Sequence, residues 1–254
     1  MNAQPRSPRE RINEHRFYSG MSLLLLLFVL AGFGRTFFLQ PWVPEAAALA
    51  PKESFFFYVH GVVFSLWILL ALLQPLLIMN RQIDWHRRLG RGGVALAAAV
   101  LVVGVLASLI AAKRPGGFIG VPVPPLQFLA VPMADLALFM LFFSLALAWR
   151  RTAQYHKRLM LLATIGLMDA AIVRLPLGDM TTPLIGPWFT LTDIGVDLLL
   201  LPMIAWDVAT RGRVHPVTLL GGLTVIASQP LRAIVSEADA WLRFAAWAVG
   251  LMPP

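Results

Sequence analysis

Residues 54–79 read SFFFYVHGVVFSLWILLALLQPLLIM, 26 positions without a single Asp, Glu, Lys or Arg. As a helix this stretch rises about 39 Å, more than the roughly 30 Å hydrocarbon core of a bilayer. A helix apolar on every face belongs in lipid or in the core of a large protein, and this chain has only 254 residues. Six further apolar stretches of spanning length lie on either side of it, at about 20–39, 92–112, 126–149, 157–178, 184–208 and 215–235. Pro41, Pro51, Gly90, Pro115, Pro122, Pro183 and Pro216 punctuate their edges, as expected where helices stop. The expected fold is an all-α integral membrane bundle of seven transmembrane helices.

Composition agrees with this and excludes other classes. Hydrophobic residues make up 58 % of the chain and charged residues 13 %, with a mean hydropathy of +0.73, whereas soluble domains carry about a quarter charged residues. The absence of Cys removes disulfide scaffolds and thiolate or iron–sulfur ligation. The net charge of +8 would suggest nucleic acid in a soluble chain. Placing each cation against the apolar stretches removes that reading. Fourteen of the 21 Lys and Arg fall on one side, in the N-terminal segment (Arg6 to Arg16) and in the loops at 81–91, 150–158 and 211–213. Five fall on the other side, and Arg35 and Arg174 lie within apolar stretches. The positive-inside rule then predicts a cytoplasmic N-terminus, an external C-terminus, and contacts between the inner cations and anionic lipid head groups, with no nucleic-acid partner.

Three regions follow: a basic cytoplasmic segment over 1–19, the membrane domain over 20–235, and a Trp-bearing tail over 236–254. The tail is too short to span and is expected to lie in the outer interface as a helix. A cleaved leader ending near Ala48-Leu49-Ala50 is the alternative for the first stretch, but that site lies well past the apolar run and precedes Pro51.

Residues 84–91 (DWHRRLGR) align with 154–161 (QYHKRLML) at an offset of 70. In both, an aromatic precedes His, two cations follow it, and Leu comes next. Spans two and three therefore read as one helical hairpin and spans four and five as its copy, with His86 and His156 in equivalent places.

At these residues the chain resembles a widespread group of bacterial multi-pass membrane proteins of unassigned function. The likeness rests on Gly34-Arg35-Thr36-Phe37, His60-Gly61, Gln74, His-Arg-Arg-Leu-Gly at 86–90, and His-Lys-Arg-Leu-Met at 156–160 followed by the late Arg174. It covers roughly residues 17–175 and brings no activity with it; the cytoplasmic membrane is the implied location. The chain is also distantly similar to cytochrome b561-type membrane proteins in its short His-bearing hairpins, although it lacks the intramembrane His pairs of that pattern.

Ionisable side chains within spans cost a few kcal/mol each near the bilayer centre and normally face partners in the protein interior. Here they are Arg35, His60, Asp135, Asp169, Arg174, Asp193 and Asp197, and the predicted topology puts all seven at or beyond the midplane on the outer side. Asp193 and Asp197 share a helix face. Asp169 and Arg174 are five apart, about 140° around a helix, so Arg174 is expected to reach another helix, with Asp193, Asp197 or Asp135 as candidates. Two readings stand: a structural ion-pair network, or a polar cavity that binds or transports a small molecule, cation or proton. A redox component using haem b or a quinone at His86 and His156 is a further alternative, and a purely structural or assembly subunit another. His60 cannot join that pair, being 26 residues, about 39 Å of helix, from His86. His15 and His215 read as interfacial.

No Walker loop, His-Glu-x-x-His or Gly-x-Ser-x-Gly motif is present, and the seventh stretch has no Lys for a retinal Schiff base. A non-enzymatic role is the expectation. Gly104, Ser108 and Ala112 form a small-residue stripe suited to close helix contact. Pro124-Pro125, Pro132, Pro176 and Pro202 mark places where helices are expected to kink or break.

Overall fold

The computed structural model describes residues 8–39, 42, 55–118, 121–181, 183–185 and 189–252. Ala48-Leu49-Ala50 lies outside them. Over the described residues the fold is all-helical apart from a two-stranded antiparallel turn. Helix α1 (Pro8–Phe33) runs on through a π-helical turn at Gly34–Phe38, and is followed by α2 (Phe55–Met79) and α3 (Ile83–Lys113). The short α4 (Pro125–Phe128) leads into α5 (Ala130–Ala148), then α6 (Ala153–Ile165) and α7 (Asp169–Ile172). Strands β1 (Pro183–Ile185) and β2 (Phe189–Thr190) precede α8 (Leu191–Leu198), α9 (Leu201–Arg211), α10 (Pro216–Glu237) and α11 (Asp239–Gly250).

Among the described residues, five helical stretches are long and apolar enough to cross a membrane: Arg9–Phe38, Phe55–Met79, Ile83–Lys113, Pro125–Ala148 and Pro216–Glu237. This is a multi-pass membrane protein. The fifth and sixth apolar stretches of the sequence differ from expectation, because each is interrupted. After α6 the chain tightens to i→i−3 hydrogen bonds, Leu167 N to Thr164 O (3.1 Å) and Met168 N to Ile165 O (2.9 Å), before α7 begins. Between α8 and α9 the cause is Pro202, which has no N–H to give to the Leu198 carbonyl and whose ring crowds it. The backbone steps over it with i→i−3 bonds at Leu199 (3.0 Å) and Leu200 (3.0 Å).

The hairpin pairs α2–α3 and α5–α6 pack into one core with α1 and α10. Trp67 of α2 lies edge-on to Phe139 and Phe143 of α5, with ring centroids 4.8 and 5.5 Å away. Gly104 sits where α3 crosses between α2 and α5, and a Cβ there would come within 2.8 Å of Leu136. Gly104, Ser108 and Ala112 are all buried, so the small-residue stripe does make a close contact. Gly32 brings α1 against α7 so tightly that any Cβ would meet the Ala171 carbonyl.

Residues 8–19, read from sequence as a basic segment, continue α1 into the bundle, where Phe17 stacks on Trp206 at 4.6 Å. Helix α11 has 12 residues, about 18 Å, too short to span. It is pinned by Trp241 Nε1 donating to Leu126 O (2.9 Å) and by Lys113 donating to Met252 O, leaving Phe244 and Trp247 exposed.

Candidate functional site

The two interruptions place carboxylates side by side. Asp169 is the first residue of α7, and Asp193 lies in the first turn of α8. Asp193 Oδ2 accepts from Thr190 N (2.7 Å) and Thr190 Oγ1 (2.9 Å), a capping box that satisfies the start of α8. Asp135 approaches from the second turn of α5. All three converge on Arg232 of α10. Its Nη1 donates to Asp135 Oδ1 (3.2 Å) and Asp169 Oδ2 (2.9 Å), and its Nη2 donates to Asp193 Oδ1. The side chains of these four groups are 15 % exposed or less. Three buried carboxylates therefore face one guanidinium, two negative charges in excess when all are ionised.

One turn before Arg232, Gln229 joins the cluster, its Nε2 donating to Asp197 Oδ1 (2.9 Å) and, more weakly, to Asp193 O (3.5 Å). Asp135, Asp169, Gln229 and Arg232 line one small cavity, walled on its apolar side by Leu138, Val196 and Val225. It has room for roughly one water molecule. Asp169 Oδ1 and Gln229 Oε1 are buried with no hydrogen-bond partner. Buried acceptors are normally satisfied, so two vacant ones on residues of one cavity mark the place where a donor or a cation belongs.

The seven residues singled out from sequence thus divide. Asp135, Asp169 and Asp193 share Arg232, and Asp197 is joined to them through Gln229. Arg174 instead donates to Ala170 O of its own segment (2.6 Å) and covers the Phe33 ring at 4.9 Å, so Arg232 takes the place expected of Arg174. Arg35 is exposed in the π-helical turn, and His60, edge-on to Phe64 at 4.3 Å, lies within electrostatic reach of Arg174. Arg232 looked like one more outer flanking cation, because the apolar run fades just past it. The available signal was its spacing of three from Gln229, a polar pair on one face of an apolar helix.

His86 and His156 each occupy the fourth position of a helix, α3 and α6. Each turns Nδ1 to a carbonyl late in the preceding helix, His86 toward Gln74 O (3.4 Å) and His156 toward Ala146 O (2.9 Å). Ala146 is among the last four residues of α5, whose carbonyls lack helical donors, and the His156 ring meets it there. Nε2 is the nitrogen left for any other partner.

A second charged centre, at the other end of α10, escaped the sequence reading. Arg158 of α6 and Asp207 of α9 pair with side chains 1 % exposed. Asp207 Oδ2 also accepts from His215 N (3.1 Å) and Thr218 Oγ1 (2.5 Å), while Arg158 Nη1 donates to Gln154 O (2.9 Å) and Oε1 (2.7 Å). Gln154 donates to Glu14, which also pairs with Lys157. His215, expected at the interface, is buried against Tyr155, and its Nδ1 accepts from Val217 N (3.1 Å) to cap α10. Burial, reinforced by Arg158 and Arg211, pulls the His215 pKa down to about 4.

The sign of the resulting pH dependence is definite. The unfolded chain protonates His215 near pH 6.5 and the folded one only near 4, so stability falls as pH drops through that window. His215→Asn, which keeps a capping side chain, is expected to flatten the fall. Thermal unfolding of both proteins between pH 7.5 and 4.5 tests this; parallel profiles would remove His215 from the account.

No protein-family model matches the chain, and no curated protein or solved structure shows a significant match.

Proposed function

We propose that this protein binds, and in its membrane transports, a small cation or proton at the Asp135–Asp169–Asp193–Arg232 cluster. The observation that carries the reading is the surplus of carboxylates over cations around a cavity lined by two residues, Asp169 and Gln229, each with a buried acceptor oxygen that lacks a donor. Cavity size decides between ligand classes: space for roughly one water admits an ion or a proton and excludes an organic solute in this conformation. The two interrupted segments support the same reading, since broken helices are where transporters commonly build ion sites.

In this reading the interrupted segments α6–α7 and α8–α9 complete seven crossings with the five continuous helices. The fourteen cations of one side face the cytoplasm, where they meet anionic lipids, and the chain resides in a bacterial cytoplasmic membrane. The cluster, at the α10 C-terminal end, then lies in the outer half.

A ligand bound only by the folded state stabilises it by RT ln(1 + [L]/Kd), about 2.7 kcal/mol at a hundredfold excess over Kd. Thermal unfolding in detergent with Li⁺, Na⁺, K⁺ or Mg²⁺, and at several pH values in a His215→Asn background, is expected to show stabilisation by one cation or by protons. Asp169→Asn should abolish that response. A wild-type response to neither cations nor pH, beyond that of Asp169→Asn, would refute an ion site.

A further inference from the structure

The orientation of one amide bears on which ion the cluster takes. Gln229 Nε2 points at the Asp197 carboxylate and the Asp193 carbonyl, two acceptors. Rotating the amide by half a turn would set Oε1 against both, so Asp197 and Asp193 O lock Gln229 with its oxygen turned away from them. Asp169 Oδ1 belongs to the same cavity and is likewise an acceptor when ionised. Two residues of one small cavity thus each carry a buried acceptor without a donor, which is costly for both.

A water in the cavity donates to both oxygens but leaves the cluster two negative charges in excess; only a metal ion or a proton also lowers that charge. A hard divalent cation needs six or more oxygen ligands; Leu138, Val196 and Val225 supply none, the Ser228 hydroxyl that also lines the cavity is turned to Val225 O (2.6 Å), and the Arg232 guanidinium repels a cation from one side. A proton needs only the two oxygens. We propose that Asp169 holds a proton on Oδ1 and donates it to Gln229 Oε1, directly or through the one water the cavity accommodates, making Asp169 the proton-exchanging residue of this protein. The step balances simply: hydronium delivers H⁺ to the Asp169 carboxylate, giving a neutral carboxylic acid and water, and release is the reverse. The excess charge of the cluster drops from two to one. Asp197, half-buried on the other flank of Gln229, acts as a positioning residue by fixing the amide.

This inference rests on the cluster being an ion site, and infrared difference spectroscopy separates the two. Wild-type protein in detergent at neutral pH, with and without ¹³C-labelled aspartate, is expected to show an isotope-sensitive carboxylic-acid C=O band. Asp169→Asn should lose the band, Asp135→Asn should keep it, and Gln229→Leu should shift it by removing the acceptor. Asp197→Asn, which lets the amide turn, should shift it likewise, whereas a merely structural Asp197 would leave it in place. Addition of Na⁺, K⁺ or Mg²⁺ should not bleach it. Bleaching by one of these ions would overturn the proton assignment while preserving the ion site. A band that survives Asp169→Asn would also overturn the assignment. No Asp band, together with no thermal response to any cation or to pH, would overturn both. Should Asp169→Asn fail to fold, Asp169→Glu, which keeps a carboxylic acid, is expected to retain a C=O band that no longer responds to aspartate labelling; a band still sensitive to the label in that variant would overturn the assignment.

Discussion

Asp207→Ala will lower the stability of the protein by about 3–5 kcal/mol, the usual cost of stranding one member of a buried ion pair. Arg158 is 1 % exposed, so no water replaces the lost carboxylate, and Thr218 Oγ1 and His215 N lose their acceptor with it. Three packing elements meet there, α6 through Arg158, α9 through Asp207 and the start of α10 through His215, so the damage spreads beyond one bond. Arg158→Met is expected to cost a similar amount by stranding Asp207. The double variant Arg158→Met/Asp207→Leu should cost much less than the sum, since an apolar pair of similar volume needs no desolvation of charge. Thermal or denaturant unfolding of these proteins together with Asp207→Leu, which closes the cycle, gives the coupling energy in one detergent. Single variants within about 0.5 kcal/mol of wild type would mean that the pair is hydrated.

This centre also shows where sequence reading stops. Arg158 follows Lys157 in a loop-edge run of cations, and nothing local separates the buried one from its neighbour. The distinguishing fact is Asp207, 49 residues away, which brings a carboxylate to it only after α9 has been broken from α8. Three of the five continuous spans, by contrast, were legible almost to the residue: 54–79 against Phe55–Met79, 126–149 against Pro125–Ala148 and 215–235 against Pro216–Glu237; the other two, read as 20–39 and 92–112, begin earlier at Arg9 and Ile83, because their first turns carry charges that hydropathy scores as outside the helix. Hydropathy reports whether a stretch tolerates lipid, and for an uninterrupted helix that is nearly the whole question. It is silent on backbone breaks inside an apolar run. Pro202 marked one such place in advance; the turn at Leu167 and Met168 contains no proline and became visible only as geometry. The site suffered accordingly. Its carboxylates were identified because a charge in an apolar run is conspicuous, whereas Arg232, near the end of its run, passed for a flank.

Arg232→Met is the change with the sharpest consequence for the site. In the native protein one guanidinium with a planar fork of donors serves Asp135, Asp169 and Asp193 together, and without it three carboxylates stand in a space 15 % exposed or less. The expected loss is again about 3–5 kcal/mol, and relief must come from removing charge. Adding Asp135→Asn and Asp169→Asn to Arg232→Met leaves only Asp193, which keeps its two donors from Thr190, so the triple variant should recover much of the lost stability. Arg232→Lys separates charge from geometry. A single ammonium preserves the electrostatic balance but lacks the fork that reaches three carboxylates at once, so an intermediate stability is expected. The order wild type, Lys, Met in unfolding temperature, with the triple variant above Met, is the result to look for. Should Met match wild type, the carboxylates would have to be neutralised by something other than Arg232, and the charge surplus from which the ion site is argued would vanish with it.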